Sequence, residues 1–180
     1  RVYGYENLTP TLIKDELPPQ HGNQNLDGTE RVRDILVASG MDEIITYSIM
    51  DPMDEARLRL ENNADLDGFI PIKNPLSQER SHLRRSLLPG ALTTARTNLR
   101  FLDKVNTFEV GSVFHPQKGK LLPNEPQRVS FLMSGVRNTN SWLNQDDGHY
   151  DFFDLKGILE HFFKSLHVDN VEWKKSRELP

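Results

Sequence analysis

Cysteine is absent from this 180-residue chain, and so are a long hydrophobic run and an excess of basic residues. Without cysteine there is no disulfide framework and no thiolate metal site. No apolar run approaches the roughly 20 residues that a membrane span needs, and the first residues lack the pattern of a signal peptide. The net charge of −4 argues against a surface that binds nucleic acid everywhere. We therefore expect a cytoplasmic protein that has no contact with a membrane.

The residues that are present suit one folded domain with an attached segment. Hydrophobic residues make up 36% of the chain, which is enough for a core. Residues 1–24 begin with an aromatic stretch and continue into a Pro-, Gly- and Asn-containing stretch, so we interpret them as the tail of a preceding domain and a linker. Residues 25–180 form the main domain. Because the chain opens on Arg1 rather than Met, we expect an excised piece of a longer protein, truncated at its C-terminus as well.

Hydrophobic periodicity predicts an α+β domain in which helices flank an antiparallel sheet. The first helix is predicted to start at an Asp27 cap and to stop at Gly40. Further helices are predicted after Asp51, near Pro89 and after Asp151. Strands are predicted at residues 44–49, 69–72, 105–114, 129–134 and 171–174, and the third and fourth of them would form a hairpin with a long tip.

The strand that starts at Val105 carries the most informative pattern. Its alternation places Phe108 and Val110 on one face and Glu109 on the other. The stretch Gly111–Gln117, GSVFHPQ, resembles motif 2 of class II aminoacyl-tRNA synthetases, whose pattern is Gly-x-Val-Phe-Arg-x-Glu. In that family the Arg holds the substrate carboxylate and the ATP α-phosphate, and the Glu holds adenine.

His115 stands at the position of the motif 2 arginine, and Gln117 stands at that of the glutamate. An imidazole offers at most two donors and is mostly neutral at pH 7, whereas a guanidinium is a planar, permanently charged fork. The resemblance therefore implies a synthetase fold with a degenerate site, no catalytic residue and no bound metal. Two alternatives stay open: an active stand-alone relative that binds a nucleotide through other residues, and a plain protein-interaction module.

The resemblance extends along most of the chain. Within the class II enzymes, the chain resembles most specifically the β subunits of bacterial phenylalanyl-tRNA synthetases. It implies that the complete enzyme, with two α and two β subunits, joins phenylalanine to its tRNA with ATP and Mg²⁺. The α subunit would perform the chemistry, and this module would scaffold it and support tRNA binding. Five blocks carry the resemblance in order: RVYGYEN at 1–7, GMDEIITYS at 40–48, NPLSQERSHLRRSLLPG at 74–90, FEVGSVF at 108–114 and DFFDLKG at 151–157.

In class II enzymes the helix and strand of motif 1 lie at a subunit interface. The resemblance therefore makes Val32, Ile35, Leu36 and Tyr47 the candidate interface residues. If that helix face were exposed, the isolated chain could also form a homodimer.

Basic residues cluster in residues 80–104, and two interpretations of their role stay open. Arg84, Arg85, Arg96 and Arg100 could contact tRNA or a partner subunit, or they could form an ordinary solvated face. Asp151 and Asp154 have a structural role as cap residues in preference to a catalytic one. The histidines show no spacing typical of metal ligands.

Overall fold

The computed structural model describes the chain outside a few short gaps. The described residues are 4–12, 14, 19, 21–58, 66–75, 77–138, 142 and 148–175. The helices are α1 Gln24–Ala38, α2 Pro52–Leu58, α3 Leu88–Asn98 and α4 Phe152–Ser165. The strands are β1 Asp42–Glu43, β2 Ile49–Met50, β3 Ile70–Pro71, β4 His82–Leu83, β5 Lys104–Ser112 and β6 Gln127–Gly135. Within these ranges, no helix has the length and apolar character that crossing a bilayer requires.

Two small sheets organise the described residues. In the larger one the strand order is β1-β5-β6, with β1 parallel to β5 and β5 antiparallel to β6. The β5–β6 hairpin pairs Phe108 with Phe131 and Val110 with Val129. The smaller sheet has the order β2-β4-β3 and is antiparallel. The predicted α+β class with an antiparallel hairpin is therefore confirmed.

One face of the larger sheet packs against α1 and α4. Side chains two residues apart point to the same face of a strand, so Phe108 and Val110 lie together there. Phe108 forms a core with Leu36 of α1, Met41 and Phe162 of α4. Burying side chains of this size supplies much of the driving force for folding.

The opposite face of the same sheet packs against α3. Val105 of β5 and Leu132 of β6 contact Ala91 and Ala95 of that helix, and Ile44 packs beside them. Since both faces of β5 are covered, its successive residues Thr107, Phe108 and Glu109 are all buried. The predicted division of this strand into two faces is correct, but the face with polar residues lies as deep as the apolar one.

Three details of the predicted elements are wrong. Helix α1 begins at Gln24, where the Asn23 side chain accepts hydrogen bonds from the backbone N–H groups of residues 25 and 26, so Asp27 is not its cap. Residues 44–48 form no strand, and the backbone N–H of Thr46 donates to the Glu109 carboxylate at 3.2 Å instead of to a backbone carbonyl of a neighbouring strand. Residues 171–174 form no strand either. The predicted stop at Gly40 is confirmed by its left-handed φ of +81°.

The cap of α4 is confirmed. Asp151 accepts hydrogen bonds from the backbone N–H groups of Phe153 at 2.7 Å and Asp154 at 3.2 Å. The Asp154 carboxylate in turn accepts from the Asp151 N–H at 2.8 Å, which completes a reciprocal capping box. The two carboxylates therefore organise the helix start, which is the structural role predicted for them.

Candidate functional site

His115 lies just beyond the end of β5, where the hairpin continues as a single antiparallel bridge. Its N–H donates to the carbonyl of Asn124 at 3.0 Å, and its carbonyl accepts from the Asn124 N–H at 2.8 Å. Its side chain is half-buried. The backbone at residue 115 is thus held in a regular antiparallel pairing.

An open cleft of about 600 Å³ lies beside His115. Its wall includes Leu87, Val113 and Arg128 together with the ion pair between Arg85 and Glu55. Gln117 does not line this cleft, and its carbonyl accepts from the Lys120 N–H at 3.2 Å within the hairpin tip. Of the two predicted motif 2 positions, His115 therefore borders this cleft and Gln117 does not.

Arg84 is an internal residue, which corrects its prediction as a contact for tRNA or a partner. Arg84 is 5% exposed to solvent, and Glu109 is 2% exposed. Arg84 Nη1 lies 2.6 Å from Glu109 Oε1, and Arg84 Nε donates to the Ser112 carbonyl at 2.9 Å. Thr46 completes the group: its hydroxyl donates to Glu109 Oε2 at 2.7 Å and accepts from Arg84 Nη1 at 3.0 Å. We call Thr46, Arg84 and Glu109 the buried polar cluster.

Arg85 is also engaged within the domain. Its guanidinium pairs with Glu55 at 2.6 Å, donates to the Asp67 carbonyl at 2.9 Å and stacks 3.9 Å from the centre of the Phe69 ring. These contacts indicate that Arg85 stabilises the folded domain, which explains its position better than a contact with tRNA does. By contrast, the other two predicted basic residues, Arg96 and Arg100, are exposed.

The predicted interface residues separate into two groups. Leu36 is 0% exposed and belongs to the core beneath α4, so it has no surface for a partner and its prediction is wrong. Val32 and Ile35 are partly buried against the same core. A homodimer through this apolar face of α1 therefore has little surface to use. Tyr47 is 68% exposed and remains a candidate.

Sequence reasoning missed two residues beside Tyr47. Ile45 is 90% exposed, and the guanidinium carbon of Arg80 lies 4.0 Å from the centre of the Tyr47 ring, a cation–π contact. The signal for Ile45 was present in the alternation of residues 44–47. The β-branched and aromatic residues predicted a strand here, and that prediction does not say which side chains stay exposed.

One carboxylate in the described residues has a shifted pKa whose cause is structural. The pKa of Asp154 lies below its ordinary value of 3.8, first because the backbone N–H of Asp151 bonds to its carboxylate and second because Arg137 does so. This shift belongs to the cap of α4. Across the described ranges, no three His, Asp or Glu side chains are grouped so that they could hold a metal ion.

Solved structures share this architecture. Two structures of pyrrolysyl-tRNA synthetase from Desulfitobacterium hafniense superpose with TM-scores of 0.61 and 0.60 at 18% sequence identity. In each, the match covers 83% of this chain and 49% of the other. The fold is therefore that of the class II aminoacyl-tRNA synthetase core.

Sequence relatives define the family. A family profile described as the phenylalanyl tRNA synthetase beta chain CLM domain matches residues 8–180, so the chain belongs to that family. Phenylalanine–tRNA ligase β subunits from Carboxydothermus hydrogenoformans, Moorella thermoacetica and Geobacter metallireducens are 38%, 36% and 32% identical to it. These matches cover 98–100% of this chain and 22% of each relative. The chain thus spans about a fifth of the length of these relatives.

Proposed function

We propose that this domain is a non-catalytic module of the β subunit of a phenylalanine–tRNA ligase. In the complete enzyme, with two α and two β subunits, the α subunit would join phenylalanine to tRNA using ATP and Mg²⁺. This domain would scaffold the α subunit and support the binding of tRNA, and the assembly would work in the cytoplasm. The domain itself would hold no cofactor.

The observation that carries this proposal is the imidazole at residue 115. Hydrogen bonds to charged groups contribute roughly 1.5–3 kcal/mol each, so losing a bidentate clamp costs about a hundredfold or more in affinity or rate. Two nearby guanidinium groups, those of Arg84 and Arg85, are held by internal partners, whereas Arg128 lines the same cleft from β6 and is exposed. Arg84 is closed into the buried polar cluster, and Arg85 is held by Glu55 and Phe69.

A role in tRNA binding is best supported by the exposed part of the basic segment. Arg96 lies in the last turn of α3, and Arg100 follows that helix. Among the residues that the structure describes, neither has an internal partner to leave before reaching a phosphate, in contrast to Arg84. We expect that replacing both by glutamine weakens tRNA binding by the complete enzyme and makes that binding less sensitive to salt.

Phenylalanine-dependent pyrophosphate exchange tests the non-catalytic assignment. The isolated domain should show no exchange above background, and the complete enzyme serves as the positive control. The His115→Arg/Gln117→Glu variant should remain inactive too, because two side chains do not rebuild an entire site. Exchange by the unmodified domain that depends on phenylalanine would refute the proposal.

Two further measurements separate the alternatives. An active stand-alone relative should bind ATP, so heat released on titrating ATP into the domain would favour it. A plain interaction module needs no synthetase partner. Co-purification of the complete β subunit with a phenylalanine–tRNA ligase α chain is required by our proposal and not by that alternative.

A further inference from the structure

The short segment that joins α3 to β5, residues 99–103, exposes an aromatic ring. Phe101 is 83% exposed, more than any other phenylalanine that the structure describes. Across the described ranges, no second ring and no cation stacks on it. A single exposed apolar side chain is ordinary on a protein surface, so the ring gains meaning only from how it is held and from the charges near it.

Backbone hydrogen bonds hold this segment at both of its ends. The N–H groups of Phe101 and Leu102 both donate to the Asn98 carbonyl, at 2.9 and 3.0 Å, which adds a turn to the end of α3. At the other end, the Asp103 carbonyl accepts from the Val136 N–H at 3.1 Å, just beyond β6. Because the segment is already ordered, a ligand that binds to Phe101 has little backbone entropy to remove.

Gly135, the last residue of β6, makes the second of these ties possible. Its φ of +101° lies in the region that favours glycine. A Cβ at this position would collide with the Asp103 carbonyl oxygen and would lie 2.7 Å from Lys104 Cα. The end of β6 can therefore close against the segment only because residue 135 has no side chain, and this contact fixes the backbone two residues after the exposed ring.

The charges that surround Phe101 in the sequence are mostly positive. Residues 96–104 contain Arg96, Arg100 and Lys104 against the single carboxylate of Asp103, although the whole chain has a net charge of −4. No carboxylate in the part of the chain that the structure describes forms an ion pair with any of these three cations. A local excess of unpaired cations attracts phosphate groups, whereas the buried centre of a protein interface is depleted in such charges.

We propose that Phe101 stacks on an unpaired base of the tRNA while Arg96 and Arg100 bind phosphates of the same single-stranded stretch. An open aromatic face beside cations suits single-stranded RNA, because the ring takes a base and the cations take the backbone. A double helix keeps its bases stacked inside and offers no free base to the ring, so the contact lies at a loop or an unpaired end. This inference rests on the proposed function, since it takes the tRNA from there.

Phe101→Leu tests the stacking, because it keeps an apolar side chain and removes the flat ring. The complete enzyme, with the numbering of this chain kept, is titrated with its tRNA at several salt concentrations. We expect about tenfold weaker binding, as loss of a stacked aromatic ring typically gives, with an unchanged salt dependence because no phosphate contact is lost. Arg100→Gln should instead reduce the salt dependence. Phe153→Leu is the matched control: that ring is 72% exposed beside the Asp154 carboxylate, and tRNA affinity should not change.

Phe101→Trp supplies a direct signal, since a base that stacks on an indole quenches its fluorescence. Its tRNA affinity should match that of the unmodified enzyme. Addition of tRNA should quench its emission more than that of the Phe101→Leu enzyme, which has every other tryptophan in common with it.

Normal tRNA binding by Phe101→Leu would overturn the inference, and so would equal quenching in the two enzymes. If Phe101→Leu weakened the association of the α and β subunits and left tRNA affinity unchanged, the ring would lie in a protein interface and the inference would again be wrong. In each of these cases, weaker tRNA binding by Arg96→Gln/Arg100→Gln would leave the proposed function standing. Normal tRNA binding by that double variant would overturn both the inference and the proposed role of this domain in tRNA binding.

Discussion

Replacing Arg84 by methionine should destabilise this domain far more than replacing any exposed arginine. The change keeps a long aliphatic stem but leaves the Glu109 carboxylate buried without its cation. That carboxylate is 2% exposed in its side chain and lies 2.6 Å from the guanidinium in the unmodified protein. The hydrogen bonds that Arg84 donates to the Ser112 carbonyl and to Thr46 are lost at the same time.

The expected magnitude follows from the burial of both charges. Removing one partner of a buried ion pair costs about 3–5 kcal/mol, mostly because the remaining charge is isolated from water. Replacing both partners by apolar side chains of similar volume removes that penalty. The Ser112 carbonyl loses its Arg84 donor in both variants, so Arg84→Met/Glu109→Met differs from the single variant by the unpaired N–H and hydroxyl of Thr46, about 1–3 kcal/mol, in place of the isolated charge. The double variant should therefore be more stable than the single one.

Urea unfolding followed by circular dichroism measures the free energy of unfolding of each variant. Arg128→Met is the matched control, because Arg128 lies on the same sheet but is exposed, and it should change stability by less than about 0.5 kcal/mol. A loss below about 1 kcal/mol for Arg84→Met would refute the claim that this ion pair is sealed within the domain. A double variant less stable than the Arg84→Met single would refute the claim that the isolated charge is the main cost.

Three further outcomes are expected from the same structure. Leu36→Ala should lower the free energy of unfolding by about 2–5 kcal/mol because it leaves a cavity between α1 and the sheet, whereas Val37→Ala on the exposed side should have little effect; equal losses would contradict the burial of Leu36. Gly90→Ala should cost about 1–3 kcal/mol, because a Cβ at Gly90 would lie 2.6 Å from Thr46 Oγ1, and an unchanged urea midpoint would contradict that close packing. The pKa of Asp154 is lowered on folding, so its contribution to stability is present above its ordinary value of 3.8 and is lost as the pH falls through the lower folded value. Asp154→Asn should therefore be less stable than the parent at neutral pH, with the difference shrinking in acid; stability curves that stay parallel down to low pH would contradict this.

Much of the fold could be predicted because its signals are local. The start of α4 follows from Asp151 and the apolar spacing behind it, since a cap and its helix are adjacent in sequence. The hairpin of β5 and β6 follows from two alternating strands joined by a Pro- and Gly-containing loop. The position of His115 at the strand end follows from the same alternation. The cap at Asn23 and strand β4 were not predicted. Both features are short, and several neighbouring residues are equally compatible with a cap or a strand.

The site was harder to predict because burial is set by distant partners. Among the basic residues of one short segment, Arg84 is internal and Arg96 is exposed, although the types of residue are the same. What separates them is a carboxylate on a strand 25 positions away. The prediction of Leu36 as an interface residue failed for a similar reason. An apolar helix face can be covered by a partner or by another part of the same chain, and here α4 covers it.

The amino-acid sequence by itself determined the family and the α+β class, and it predicts a degenerate motif 2 at His115, because all three depend on residue identity and order along the chain. Tertiary structure alone decided which charged side chains are sealed inside and which remain at the surface. A sequence records the charges, but their energies depend on which opposite charge, helix or glycine lies against them after folding. For that reason Thr46, an ordinary residue in the sequence, joins Arg84 and Glu109 at the centre of the folded domain.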